Sequence, residues 1–153
     1  FGNFQFMPRT ILNYAIDYNK NQTIELKKID DSFASAANYL KTIGWKKNQP
    51  CYFKIDLKDN IPKKYLNSSA RNIKNKKKIN YFKRYIHNYE NLNVRDDLVA
   101  AIIIPDKDII PGAETLSPAY VVFENYEKIL NWNRSLRFAL AVCSLKNGFK
   151  NEI

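Results

Sequence analysis

Several residue types are scarce in this chain, and each scarcity narrows what it can be. It has a single histidine, His87, with no partner at metal spacing, and no Ser-His-Asp or Cys-His arrangement is recognisable around it. Glycine is scarce, 4 in 153 residues, while Lys, Asn and Ile are abundant, which looks like drift in a coding sequence rich in A and T. The longest apolar runs, near Leu98 to Ile104 and Tyr120 to Phe123, are far too short to cross a bilayer. Two cysteines, Cys51 and Cys143, could pair, but are read here as two small buried hydrophobes. Acidic residues are outnumbered, 15 against 25 lysines and arginines, and the formal charge of +10 invites a polyanionic partner without choosing one.

What is present is globular in character: 45% hydrophobic and 14% aromatic residues, enough for one domain or slightly more with a real core. The chain opens inside a motif, Gly2-Asn3-Phe4-Gln5-Phe6-Met7-Pro8. Such a stretch reads either as a core turn whose Gln5 is satisfied by backbone, or as a packed turn presenting Gln5 outward. Pro8 suits the first position of a helix. Ile11, Leu12, Ala15 and Ile16 then predict a helix over 10–18. Asp17, Asn19 and Asn21 follow with oxygen at alternate positions, half of a calcium loop, though Gln22 and Lys28 stand where a glycine and a glutamate would be usual.

Asp30-Asp31-Ser32 is expected to cap a second helix with Phe33, Ala36, Ala37, Leu40 and Ile43 inward, Tyr39 at the edge and Gly44 as the stop. Alternation from Cys51 to Leu57 predicts a half-buried strand, Ile79, Phe82 and Ile86 share a helix face, and Leu98 to Ile104 and Tyr120 to Phe123 predict two more strands. Pro111 and Gly112 punctuate the loop between them. Asn125 to Trp132 and a helix capped by Ser135, with Phe138, Ala141, Val142 and Leu145 inward and Gly148 ending it, return the chain to helix. The fold class is therefore α+β: helical segments 1–45 and 124–153 around an inserted, mostly β subdomain, 46–123.

Four segments together resemble the membrane-bound lytic murein transglycosylases of the B type. Gly2 to Pro8 resembles that family's G-x-x-Q-F-M-P, and Asp31 to Leu40 with Gly44-Trp45 resembles its A-N-Y helix ending in G-W. Asn125-Tyr126, Trp132-Asn133-Arg134-Ser135 and Phe138 to Val142 resemble its closing segments. The resemblance implies a lysozyme-like helical core and peptidoglycan glycan strands as substrate in the periplasm or cell envelope. It implies Gln5, Tyr39, Trp132, Asn133 and Phe138 as substrate-binding residues, Phe138 standing where the family has tyrosine. It further implies no cofactor beyond a weakly held calcium ion, on Asp17, Asn19, Asn21, Thr23 and Asp31. The family's catalytic glutamate begins a Glu-Ser-any-aromatic-Gly helix, and none of the six glutamates here is so placed. The expectation is a C-terminal cleft-forming part, inactive alone, with the acid on an upstream segment or separate fragment, or else an inactive wall-binding remnant.

Arg71 to Arg84, with Tyr81, Phe82 and Tyr85 interleaved, is the best case for nucleic-acid binding, but the aromatics fit a core stripe and no recognition motif accompanies them. A solvated face is the preferred reading there. Asp96-Asp97 and Asp106 with Asp108 read as strand and loop ends rather than an acid/base pair.

Overall fold

The computed structural model describes residues 1–107 and 116–150, with side chains described as far as 146. Two compact units, Phe1–Lys47 and Asn48–Ile153, divide the chain. The expectations at Asp108, Pro111 and Gly112 lie outside the described residues.

In the first unit, α1 spans Pro8–Tyr14 and α2 spans Ile29–Thr42. Pro8 opens α1 as its missing N–H allows. The helix stops at Tyr14, short of the expected 18, because the chain turns extended at Ala15. Leu12 faces outward at 86% exposure, so the anticipated stripe of α1 is not a buried one.

The buried face of α2 also differs from the apolar stripe expected of it. Asp31, Ser32, Ser35, Ala36 and Tyr39 are buried, whereas Ala37 and Phe33 are exposed. The reason is backbone demand. Ser35 Oγ accepts from the Ile16 N–H at 2.9 Å, Asp31 accepts from Tyr18 and Glu25, and Asn38 donates to the Tyr14 carbonyl at 2.9 Å. Irregular chain packed against a helix brings N–H and C=O groups that must be paired, so the helix turns polar acceptors toward it. Asp31 is thus not a cap: α2 begins at Ile29, after Lys28. Its other end is as expected, with Gly44 at φ 90°, its N–H on Lys41 and the Trp45 N–H on Leu40, a Schellman closure.

The second unit is built on a sheet of short strands: β1 Tyr52–Ile55, β2 Leu66–Asn67, β3 Lys77–Lys78, β4 Val99–Ile103 and β5 Ala119–Val122. The order is β1-β5-β4-β2, with β3 also on β4. One edge of β4 is shared: Lys77 and Lys78 run antiparallel to Ala100 and Val99, and Leu66 and Asn67 run parallel to Ile102 and Ile103. The β4 run is buried from Ala100 through Ile104, the continuous apolar pattern of a central strand. One face packs Ile55, Ile102, Val121 and Phe123 against Ile79, Phe82 and Ile86. Those last three do share a face, on a single α-turn, α3 at Ile79–Phe82, continued by a 3₁₀ turn at Lys83–Tyr85. Lys77 and Lys78, which lead into that turn, form β3.

Two helices complete this unit, α4 at Glu124–Trp132 and α5 at Leu136–Lys150. Ser135 caps α5 as expected, its Oγ accepting the Phe138 N–H at 3.2 Å. The inward residues of α5 are Leu136, Ala139 and Cys143, spaced three and four apart, while Phe138, Ala141 and Leu145 are exposed, a correction by about one residue of phase. The helix also runs through Gly148 instead of stopping there. Cys143 and Cys51 form a disulfide with a Cα separation of 5.9 Å, correcting the expectation of two unpaired buried cysteines. A spacing of 92 residues carries no pairing information by itself; the meeting of α5 with the strand entry does.

Candidate functional site

The opening motif is a tight aromatic turn. Gly2 has φ 67°, and a side chain there would strike the Leu26 carbonyl and come within 2.6 Å of Leu26 Cβ, because Asn3 N–H bonds the same carbonyl at 3.0 Å. Phe6 is buried beneath the turn with its ring 6.4 Å from Tyr39, Phe4 stands edge-on to Phe33 at 5.0 Å, and Tyr14 meets Tyr39 at 5.0 Å. On this base Gln5 is held at φ 53°, in the left-handed region, with its side chain exposed. Its Nε2 donates to the Gly2 carbonyl at 3.1 Å, a bond that does not engage the amide oxygen. A non-glycine residue held there costs of order 1–3 kcal/mol, and such strain clusters where a side chain must be aimed.

Tyr39 sits in the centre of the first unit's buried face, not at its edge as its sequence position suggested. Burial first, and Tyr14 second, push its phenol above the ordinary tyrosine range, so it remains a neutral hydroxyl at any physiological pH. Gln5 and Tyr39 are thus joined through Phe6.

Trp132, Asn133 and Phe138 gather at the joint between α4 and α5. Trp132 is the last residue of α4 and half-buried; Asn133 is extended, its N–H on Ile129 and its carbonyl accepting from Ser135 at 2.8 Å. These backbone bonds leave the Asn133 side chain exposed at a fixed corner, and Phe138 stands exposed one turn into α5. Behind them Tyr126, fully buried, donates to the Leu136 carbonyl at 2.7 Å and locks the joint. Burial raises its phenol pKa above the usual range.

The oxygen-rich loop before α2 is organised by its own side chains. Asp17 accepts from Asn21 at 3.2 Å and Gln22 at 2.8 Å, Asn19 from Asn21 at 3.0 Å, and Asn21 from Thr23 at 2.9 Å. Lys20 and Gln22 take left-handed φ angles of 61° and 69°, turns where glycine would be unstrained. Asp31 is fully buried, and backbone N–H groups of Glu25, then Tyr18, then Asn19 hold its carboxyl below the usual carboxylate range. The donors are oxygens suited to a hard cation, but Asp17 and Asp31 are the two carboxylates of the set. Among the described residues no group of three or more His, Cys, Asp or Glu side chains is arranged to hold a metal ion.

A concave pocket of about 330 Å³ lies between α4 and the stretch linking β2 to β3, lined by Ala70, Arg71, Asn72, Ile73, Lys76, Glu127, Leu130, Asn131 and Arg134. Sequence reasoning took Arg71 to Arg84 for one solvated face and did not join it to Arg134. The two arginines are 63 positions apart, and only the folded sheet brings them to one cavity. Further along, Arg84 covers the rings of Tyr81 and Tyr85 at 4.9 and 5.9 Å, and Lys77 lies 5.7 Å from Tyr81. These rings are engaged within the fold rather than standing free to stack on bases. Asp96 accepts from the Tyr89 hydroxyl, Asp97 pairs with Arg95 and Asp106 with Arg137, so none of the three forms an acid/base pair.

The structure is similar to that of SltB3 from Pseudomonas aeruginosa in complex with NAG-anhNAM-pentapeptide, with a TM-score of 0.77 and 28% identity over 97% of this chain and 38% of that one. It is similar in fold to the soluble lytic transglycosylase SltB1 of the same organism, at 0.70 and 23% over 92% of this chain and 43% of that one. The Escherichia coli lytic transglycosylase Slt35 in complex with bulgecin A gives 0.69 and 22% over 94% and 41%. This chain therefore spans about two-fifths of the length of these structures. No curated protein sequence matches the chain. Its α+β fold is that of these enzymes, and the model of the transglycosylase SLT domain matches residues 1–147, so the chain belongs to the transglycosylase SLT domain family.

Proposed function

We propose that this chain forms a wall of the glycan-binding cleft of a lytic transglycosylase acting on peptidoglycan. The observation that carries the reading is Gln5, an exposed amide held in left-handed backbone on a buried aromatic base within the family match. Its amide oxygen is placed to accept from a sugar hydroxyl or acetamido N–H. Trp132 and Phe138 offer apolar faces to a sugar ring and Asn133 an amide. The structure of SltB3 with NAG-anhNAM-pentapeptide supports glycan strands as the ligand class.

The reaction proposed breaks the bond between the muramyl C1 and the oxygen of the next N-acetylglucosamine. A carboxylic acid protonates that oxygen, the muramyl C6 hydroxyl attacks C1, and its proton returns to the carboxylate, so a 1,6-anhydro ring forms and no water is consumed. That acid is assigned to a glutamate outside this sequence; this chain positions and binds. The Cys51–Cys143 disulfide fits an oxidising compartment, in keeping with a periplasmic or envelope location. The loop from Asp17 to Asp31 would bind calcium through Asp17, Asn19, Asn21, the Thr23 carbonyl and Asp31, weakly because it offers little charge. Calcium titration followed by thermal melting checks this: a midpoint unmoved at millimolar calcium removes the site.

Purified murein digested with this chain alone, and with the chain joined to a segment bearing the glutamate, tests the main reading. Anhydromuropeptides are expected from the joined protein only, falling with Gln5→Ala. Product from the chain alone overturns the assignment of the acid. Glycan binding with no product from either favours the second reading, a non-catalytic wall-binding member, which the replacement of a family tyrosine hydroxyl by Phe138 favours.

A further inference from the structure

The pocket between α4 and the β2–β3 stretch has a floor of Ile73 and Leu130, both buried, and a rim carrying Arg71, Lys76 and Arg134. Lys76 is neutralised by Glu127 at 2.5 Å. Arg71 and Arg134 have no carboxylate partner among the described residues, so two guanidinium groups face one cavity with their charge unspent. The walls are held in place before any ligand arrives. Asn67, buried under the stretch, donates to the Lys74 carbonyl at 3.2 Å and accepts the Lys74 N–H at 2.8 Å, and Asn75, at φ 55°, donates to the Lys64 carbonyl. The Lys76–Glu127 pair ties that stretch to α4.

Guanidinium forks match carboxylates in bidentate geometry, and a pre-formed cavity of about 330 Å³ takes a short segment with one or two such groups, not a polymer track. Arg134 directly follows Asn133, the amide assigned to the glycan. We infer that this pocket binds the carboxylates of the peptide branch of peptidoglycan, Arg71 and Arg134 gripping them while Ile73 and Leu130 pack the peptide's apolar atoms. This rests on the glycan-binding reading above.

The probe is muramyl pentapeptide with free carboxylates, titrated into the full chain and followed through the Ile73 and Leu130 methyl signals in NMR spectra. Saturable shifts at both methyls are expected. Arg71→Ala with Arg134→Ala, checked for an unchanged melting curve, should weaken binding by about tenfold or more, and amidating the peptide carboxylates should do the same. Equal affinity in the double variant, equal affinity for the amidated peptide, tighter binding of a short oligonucleotide at the same methyls, or no shift there overturns the proposal. A peptide-free glycan strand separates the two readings. Glycan binding without peptide shifts sinks this pocket alone, whereas peptide binding without glycan binding leaves the pocket standing and sinks the cleft assignment.

Discussion

At the scale of single residues, the sites that matter most are those where one atom too many or too few meets a closed environment. Gly2 is such a place, since its left-handed φ and the adjacent Leu26 carbonyl both forbid a side chain. Gly2→Ala should destabilise the chain by about 1–3 kcal/mol and expose the Asn3 amide to hydrogen exchange; a native-like exchange rate at Asn3 with an unchanged denaturation midpoint contradicts the account. Tyr126 is the opposite case. Tyr126→Phe removes one oxygen and the bond it donates to the Leu136 carbonyl at the start of α5, costing about 0.5–1.5 kcal/mol by urea denaturation. Gln5 was readable from sequence as one of two things, and the structure shows part of each: its side chain is exposed, and its Nε2 donates to the Gly2 carbonyl.

At the scale of elements, α2 with the loop before it behaves as one electrostatic object. The Asp31 carboxyl is held below its ordinary range by N–H groups of Glu25, Tyr18 and Asn19, so its ionised form stabilises the native loop. That contribution is complete above the unfolded pKa near 4 and is lost as pH falls through the lower native value. The melting temperature should therefore drop with acid below about pH 4, and Asp31→Asn should lower it at neutral pH while flattening that acid limb; parallel curves for the two proteins contradict this. The elements also mark where sequence reading succeeds. The strand from Val99 to Ile103 was legible because a central strand buried on both faces needs only apolar residues, and the Gly44 closure because left-handed φ selects glycine. The inward face of α2 was not, because hydrophobic periodicity counts apolar residues and cannot see that Ser35 and Asp31 would turn toward backbone N–H groups of the preceding loop and Ser32 toward the Asn3 amide. For α5 the stripe was displaced because its inward positions are held by Leu136 and the small Ala139 and Cys143, which a count of large apolar residues passes over. Of the candidate site, the residues within one motif were legible; Arg71 with Arg134 was not, since their meeting depends on strand order alone.

At the scale of the whole molecule, a charge of +10 on 153 residues opposes compactness, and the disulfide offsets it by restricting the unfolded chain. Replacing both cysteines by serine should cost about 2–5 kcal/mol, and a reductant should bring the unmodified protein to a similar melting curve. If oxidised and reduced protein melt alike, the bridge is not a determinant of stability. The same bond has a bearing on integrity. Because it joins a residue just ahead of β1 to one in the third turn of α5, almost all of the second unit forms one closed covalent ring. A protease that cuts the backbone once anywhere inside that ring opens it without releasing a piece: the product gains the mass of one water, migrates as a single species, and parts into two fragments only when the sulfurs are reduced.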